Sequence, residues 1–212
     1  SGDRVVVARD TACPEYGAWV MSTKPLAHTS GDALPDGTEI PERALNAPAV
    51  GDSIPSHFRS CFGCGDDHET GLHMRMHAGE GLTIDGTFTV TKYRQGAPGL
   101  AHGGLLSAAI DEVLGSLNWL LGKPAVTGRL ECEFTKPVPV GSVLHIHAEI
   151  VGTQRRKVFA VASVRLNSET GPVVVEAKAI FIQVGVEHFL KNGDRSIIEA
   201  AMPGASDFEM NP

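Results

Sequence analysis

The chain has 212 residues, 42% of them hydrophobic, and 25 acidic against 18 basic side chains give a formal net charge of -7. That length suits one domain with appendages and a sizeable core, while the acidic balance opposes a polyanion, so no nucleic-acid partner is expected and any cationic ligand patch must be local. No stretch reaches the roughly 20 apolar residues of a membrane-spanning helix, and the opening run SGDRVVVARD lacks a signal-peptide core. The expectation is a cytoplasmic protein without an integral membrane segment, with Ser1 leaving room for a leader already cleaved. Four scattered cysteines, Cys13, Cys61, Cys64 and Cys132, point to reduced thiols rather than a disulfide scaffold.

Residues 1–56 are interrupted by Pro14, Pro25, Pro35, Pro41, Pro48 and Pro55 and keep neither a helical nor a strand period. They read as an irregular arm with room for one short helix. The segment 61–65, CFGCG, with His68 and His73 nearby, offers two ligands of a zinc site. No second Cys-x-x-Cys or spaced His pair follows at zinc-finger distance, so a structural turn is the preferred reading and no metal is expected.

From residue 72 short alternating or β-branched runs appear: 72–77 weakly, then 82–90, and later 127–134, 143–151, 157–166 and 173–184. In 143–151, Leu144, Ile146, Ala148 and Ile150 share one face and His145, His147 and Glu149 the other, so one face is buried and one wet. The two histidines could hold a metal, but exposed strand histidines usually are only polar. Short turns between the last strands favour antiparallel neighbours.

Between these runs lies 103–121, GGLLSAAIDEVLGSLNWLL, where Leu105, Leu106, Ala109, Ile110, Val113, Leu114, Leu117, Leu120 and Leu121 recur at helical spacing, with Gly122 and Pro124 just past the end. This predicts one long, largely buried helix. One such helix, four strands after it and one or two before, implies an α+β hot-dog fold: a curved antiparallel sheet wrapped around a central helix. The domain is placed at 57–186, and the tail 187–212 is expected to be partly helical around 195–202.

The loop 94–104, RQGAPGLAHGG, ends where the helix begins, and the first four N–H groups there lack intrahelical partners. The N–H of Gly103 or Gly104, with the helix dipole behind it, can polarise a carbonyl oxygen brought close by the missing side chains. A glycine-rich helix entry capped by His102 is the plainer alternative. Asp111 sits two and a half turns further along, in a polar sector with Ser107 and Asn118. A carboxylate midway along a buried helix needs a donor, a water or a partner chain, and it can activate water or attack an acyl carbon. A solvent-facing aspartate is the alternative. Arg155, Arg156 and Lys157 form the one dense cationic run, suited to a nucleotide with several phosphates or merely to a solvated hairpin tip.

The stretches 95–115, QGAPGLAHGGLLSAAIDEVLG, and 126–141, VTGRLECEFTKPVPVG, resemble the 4-hydroxybenzoyl-CoA thioesterase superfamily, in particular its phenylacetate-pathway-like branch, and are also similar to the carboxyl-terminal modulator type of long-chain acyl-CoA thioesterase. The resemblance covers about residues 58–186. It implies hydrolysis of an acyl-CoA thioester without a cofactor, in a homodimer or dimer of dimers whose sites combine the helix aspartate of one protomer with the loop of the other. By that match Asp111 is the base or nucleophile, Gly103 holds the thioester oxygen with Gly104 beside it, and His102 orients the loop. Thr127 helps place the water, Phe134 with Lys136 and Pro137 borders the acyl or pantetheine tunnel, and Arg155, Arg156 and Lys157 contact the CoA phosphates. Gln95 stands where many members of the phenylacetate branch have an Asn, which moves the match toward the long-chain branch. CFGCG followed by Gly71 and Leu72 matches a turn into the first strand. Two rival expectations remain: a hot-dog dehydratase or hydratase, and a non-catalytic acyl-CoA-binding protein.

Overall fold

The computed structural model describes residues 34–201. Its main sheet contains β1 (Arg75–Ala78), β2 (Thr83–Thr89), β5 (Ala125–Phe134), β6 (Val143–Gln154), β7 (Lys157–Leu166) and β8 (Val173–Gln183). The spatial order is β1-β2-β6-β7-β8-β5, and every neighbouring pair is antiparallel. A small ribbon, β3 (Gln95–Ala97) and β4 (Leu100–Ala101), leads into α1 (Gly103–Ser116). After α1 come the one-turn α2 (Asn118–Leu121) and, beyond the sheet, α3 (Val186–Asn192) and α4 (Arg195–Ala201).

The alternation read in 143–151 places Leu144, Ile146, Ala148 and Ile150 in the core at 2% exposure or less. Against that face lies α1, whose Leu106, Ala109, Ile110, Val113 and Leu114 are buried and which touches β2, β5, β6, β7 and β8. Burying each such large apolar side chain is worth about 1.5–3 kcal/mol, so the helix is held by the sheet far more than by its own propensity. This is the expected hot-dog arrangement of a sheet around one helix.

Three details depart from the sequence reading. The expected single helix is broken at Leu117, where Leu117 N–H bonds to Leu114 O and Leu120 N–H to Leu117 O in tighter i to i−3 steps. Asn118 takes part in the break by donating from Nδ2 to Gly115 O at 3.0 Å, a local side-chain bond that competes with the helix ladder. The first strand begins only at Arg75, because Leu72 and Met74 N–H groups bond to Phe62 O and Gly63 O of the preceding turn. The tail contains α3 in addition to the helix expected near 195. The part of the arm that lies within the described residues, 34–56, contains no helix or strand and makes isolated bridges such as Glu39 with Thr153 and Ser53 with His77. The rest of the arm lies outside the described residues. Among the described residues no helix is long and apolar enough to cross a membrane.

Candidate active site

The approach to α1 is shaped by contacts of its own loop. His102 N–H donates to Arg94 O at 2.9 Å, and the Arg94 guanidinium reaches Thr89 O at 2.7 Å while lying 4.5 Å from the centre of the Phe88 ring. A Cβ at Gly96 would come within 2.9 Å of His102 Cα, so glycine is required for the histidine to close over the ribbon. Gln95 is spent within the same loop: Nε2 donates to Lys92 O at 2.8 Å and Oε1 accepts from Gly99 N–H at 3.0 Å. It therefore does not stand in for an oxyanion-holding Asn.

His102 is the N-cap, and its Nδ1 accepts the Gly104 N–H at 3.0 Å, which puts the proton of the neutral ring on Nε2. The N–H groups of Leu105 and Leu106 both bond to His102 O. Of the first-turn donors, Gly103 N–H alone has no partner among the described residues, and it lies at the positive end of the helix. The Phe134 ring lies beside it, 3.7 Å from the point a Gly103 Cβ would occupy. The two residues expected to share the oxyanion role thus differ: Gly103 presents a free donor, and Gly104 contributes an absent side chain while its N–H serves the cap.

Further along the same helix stripe, Ser107 donates to Gly103 O at 3.2 Å and lies near the Cys132 thiol, and Asp111 Oδ1 accepts from Thr127 Oγ1 at 3.0 Å. Burial raises the Asp111 carboxyl above the usual carboxylate range; the Thr127 bond opposes that rise and the nearby Glu112 charge adds to it. The Cys132 thiol is raised as well, mainly by burial. Gly103, Ser107 and Asp111 on α1 therefore face Phe134, Cys132 and Thr127 on β5, a row of facing residues that runs from a free N–H donor to a carboxylate.

A bulge makes that alignment possible. Thr127 pairs with Phe181 and Arg129 with Ile180, leaving Gly128 as the extra residue. In an unbroken strand Thr127 would face opposite to Leu130, Cys132 and Phe134; the extra residue turns it to the same side.

The cationic run occupies the β6–β7 turn, where Arg155 has a φ of 55° and all three side chains are exposed. Val158 pairs with Phe181, which pairs with Thr127, so this turn lies at the Thr127 end of the sheet, two strands or roughly 10 Å across. Arg156 also borders a shallow groove with Gly185, His188 and Lys191. His147 is engaged otherwise, its Nδ1 lying 2.7 Å from Asp85 Oδ1 across the β2–β6 pair.

Residues 98–174 match the family model described as Thioesterase superfamily. The chain is similar to acyl-coenzyme A thioesterase THEM4 of Bos taurus, 37% identical over 95 residues that cover 45% of this chain and 38% of that protein. It is also similar to acyl-coenzyme A thioesterase THEM5 of Mus musculus, 34% identical over 97 residues with the same two coverages. These matches span under two fifths of the relatives' own length. Among solved structures, a thioesterase superfamily protein superposes with a TM-score of 0.55 at 25% identity, covering 65% of this chain and 70% of its own.

Proposed function

We propose that this chain, whose residues 98–174 match the thioesterase superfamily, hydrolyses acyl-CoA thioesters to a free acid and CoA. The observation that carries this reading is the pairing, on one face of α1, of an unengaged Gly103 N–H at the helix start with a half-buried Asp111 carboxylate. Hydrolysis needs both parts: a donor where negative charge develops on the thioester oxygen, and a base for the water.

In this reading the thioester oxygen lies against Gly103 N–H with the Phe134 ring beside it. Asp111 takes a proton from water as its oxygen attacks the carbonyl carbon, and collapse of the tetrahedral intermediate expels the CoA thiolate, which takes up a proton. Thr127 holds Asp111 Oδ1, and Oδ2 has no partner among the described residues, so it is open to the water. Direct attack by Asp111, giving an anhydride that water then cleaves, uses the same groups. Arg155, Arg156 and Lys157 supply charge for the CoA phosphates, and the two relatives named as acyl-coenzyme A thioesterases support that substrate class. A second copy completes the site: among the described residues β5 is a ten-residue edge strand with only β8 as a neighbour, and Thr127 and Phe134 on it are exposed.

Incubation with a panel of saturated acyl-CoAs, read by release of free thiol, tests the reading. Hydrolysis yields thiol from a saturated chain. Saturable binding without thiol would instead favour a binding protein, and turnover confined to 2-enoyl or 3-hydroxyacyl esters would favour a dehydratase or hydratase.

A further inference from the structure

Away from this row of residues, folding assembles a cluster that the spacing in the sequence leaves half complete. His57, Cys61, Cys64 and Glu112 bring one ligand atom each to within 4.8 Å of one another. His57 Nδ1 lies 3.3 Å from Cys64 Sγ and 3.2 Å from Glu112 Oε1, and Cys61 Sγ lies 3.7 Å from Glu112 Oε2. A tetrahedron with bonds of about 2.0–2.3 Å to nitrogen, oxygen and sulfur has edges of about 3.3–3.8 Å; the short separations lie close to that range and the widest, within 4.8 Å, needs only a small inward shift of the side chains to enclose one ion.

The surroundings fit the same purpose. The Glu112 side chain is 12% exposed, and its Oε1 is a buried atom whose one close polar neighbour, His57 Nδ1 at 3.2 Å, lies outside hydrogen-bond geometry. A buried carboxylate oxygen in that condition calls for a cation. A Cβ at Gly63 would overlap the Glu112 carboxylate, so the glycine between the two cysteines is what lets the turn close on the helix. The histidines beside the motif in sequence take no part: His68 packs edge-on against Phe62, and His73 is the left-handed residue leading into β1. The third and fourth ligands come from four residues before Cys61 and from α1.

We propose that His57, Cys61, Cys64 and Glu112 form a closed, structural Zn2+ site that clamps the 57–64 turn to the middle of α1. Two thiolates and an imidazole select a borderline-soft ion over Mg2+ or Ca2+, and four protein ligands leave no open position for substrate. Because Glu112 follows Asp111, the clamp also fixes the helical turn that carries the aspartate. The site does not depend on the thioesterase reading.

The test uses the full chain, stripped with a chelator and then titrated with Zn2+ alone. Bound metal is counted after gel filtration, and Co2+ replaces Zn2+ in a parallel sample. The expected result is one equivalent of zinc per chain, a higher melting temperature on loading, and a Co2+ spectrum with a thiolate charge-transfer band and the intense visible bands of tetrahedral coordination. Cys64→Ser and His57→Ala should each weaken uptake by more than the roughly tenfold typical of losing an outer partner of a ligand. The proposal is overturned by a folded wild-type chain that takes up no zinc, by an octahedral Co2+ spectrum, by uptake unchanged in Cys61→Ser, or by a Cys61–Cys64 disulfide forming in place of metal binding. Circular dichroism on each variant separates loss of binding from loss of fold, and the Co2+ spectrum of the wild type decides the question even if the variants do not fold.

Discussion

Thr127 Oγ1 donates to Asp111 Oδ1 at 3.0 Å, joining the edge strand β5 to the middle of α1. The bond pins one carboxylate oxygen and orients the other, so the geometry of the proposed base depends on a strand residue sixteen positions away.

Asp111→Asn keeps an acceptor for Thr127 but removes both the base and the nucleophilic carboxylate. The turnover number should fall by about a hundredfold or more. Because the substitution removes a half-buried charge whose carboxyl burial already raises, the melting temperature should hold or rise. Thiol-release kinetics and thermal denaturation check the two halves. Near wild-type turnover in a folded variant would make Asp111 a structural residue.

Thr127→Val should lower turnover by roughly tenfold, less than Asp111→Asn, since the hydroxyl positions a group without itself transferring the proton. Thr127→Ser should recover most of the activity, because it restores the donor to Oδ1. A Ser variant as slow as the Val variant would show that the methyl group, and not the hydroxyl, matters.

Gly128→Val tests the bulge. Its new Cβ would meet Ile182 Cγ1 at 3.0 Å and Ile180 O at 3.2 Å, a crowding of β5 against β8 that should destabilise by about 1–3 kcal/mol. Turnover should also fall as Thr127 is displaced. A melting temperature and rate equal to wild type would mean that the strand places Thr127 without the extra residue.

Arg156→Ala combined with Lys157→Ala should raise KM for acyl-CoA by about tenfold while leaving turnover of short acyl-pantetheine esters nearly unchanged, since a phosphate contact acts on ground and transition states alike. Comparable losses on both substrates would remove the phosphate role from this turn.

Sedimentation should find at least a dimer at concentrations where thiol release is full, because β5 is an edge strand of the sheet among the described residues and lies next to the proposed site. A fully active monomer would show that one chain suffices.

Periodicity alone located the β6, β7 and β8 strands, the buried face of Leu144, Ile146, Ala148 and Ile150, and the central helix, because a two-residue or a 3.6-residue period is written directly in the order of side chains. The helix start at Gly103 and its cap at His102 were legible for the same local reason. Contacts between distant segments left no such trace. The run 127–134 reads as an unbroken strand in sequence, and only the pairing with β8 shows that Gly128 is an extra residue that turns Thr127 toward Asp111. That Gly103 N–H is free and Gly104 N–H engaged depends on the tilt of the His102 ring, which Gly96 permits. Cys61 and Cys64 are half a cluster in sequence because the side chains they meet are His57, four residues before Cys61, and Glu112, which the helix brings in from 51 residues after Cys61. Sequence order determines what each segment is, since that is set by neighbours along the chain; packing decides which side chains meet, since that depends on how helix and sheet bury their apolar faces together.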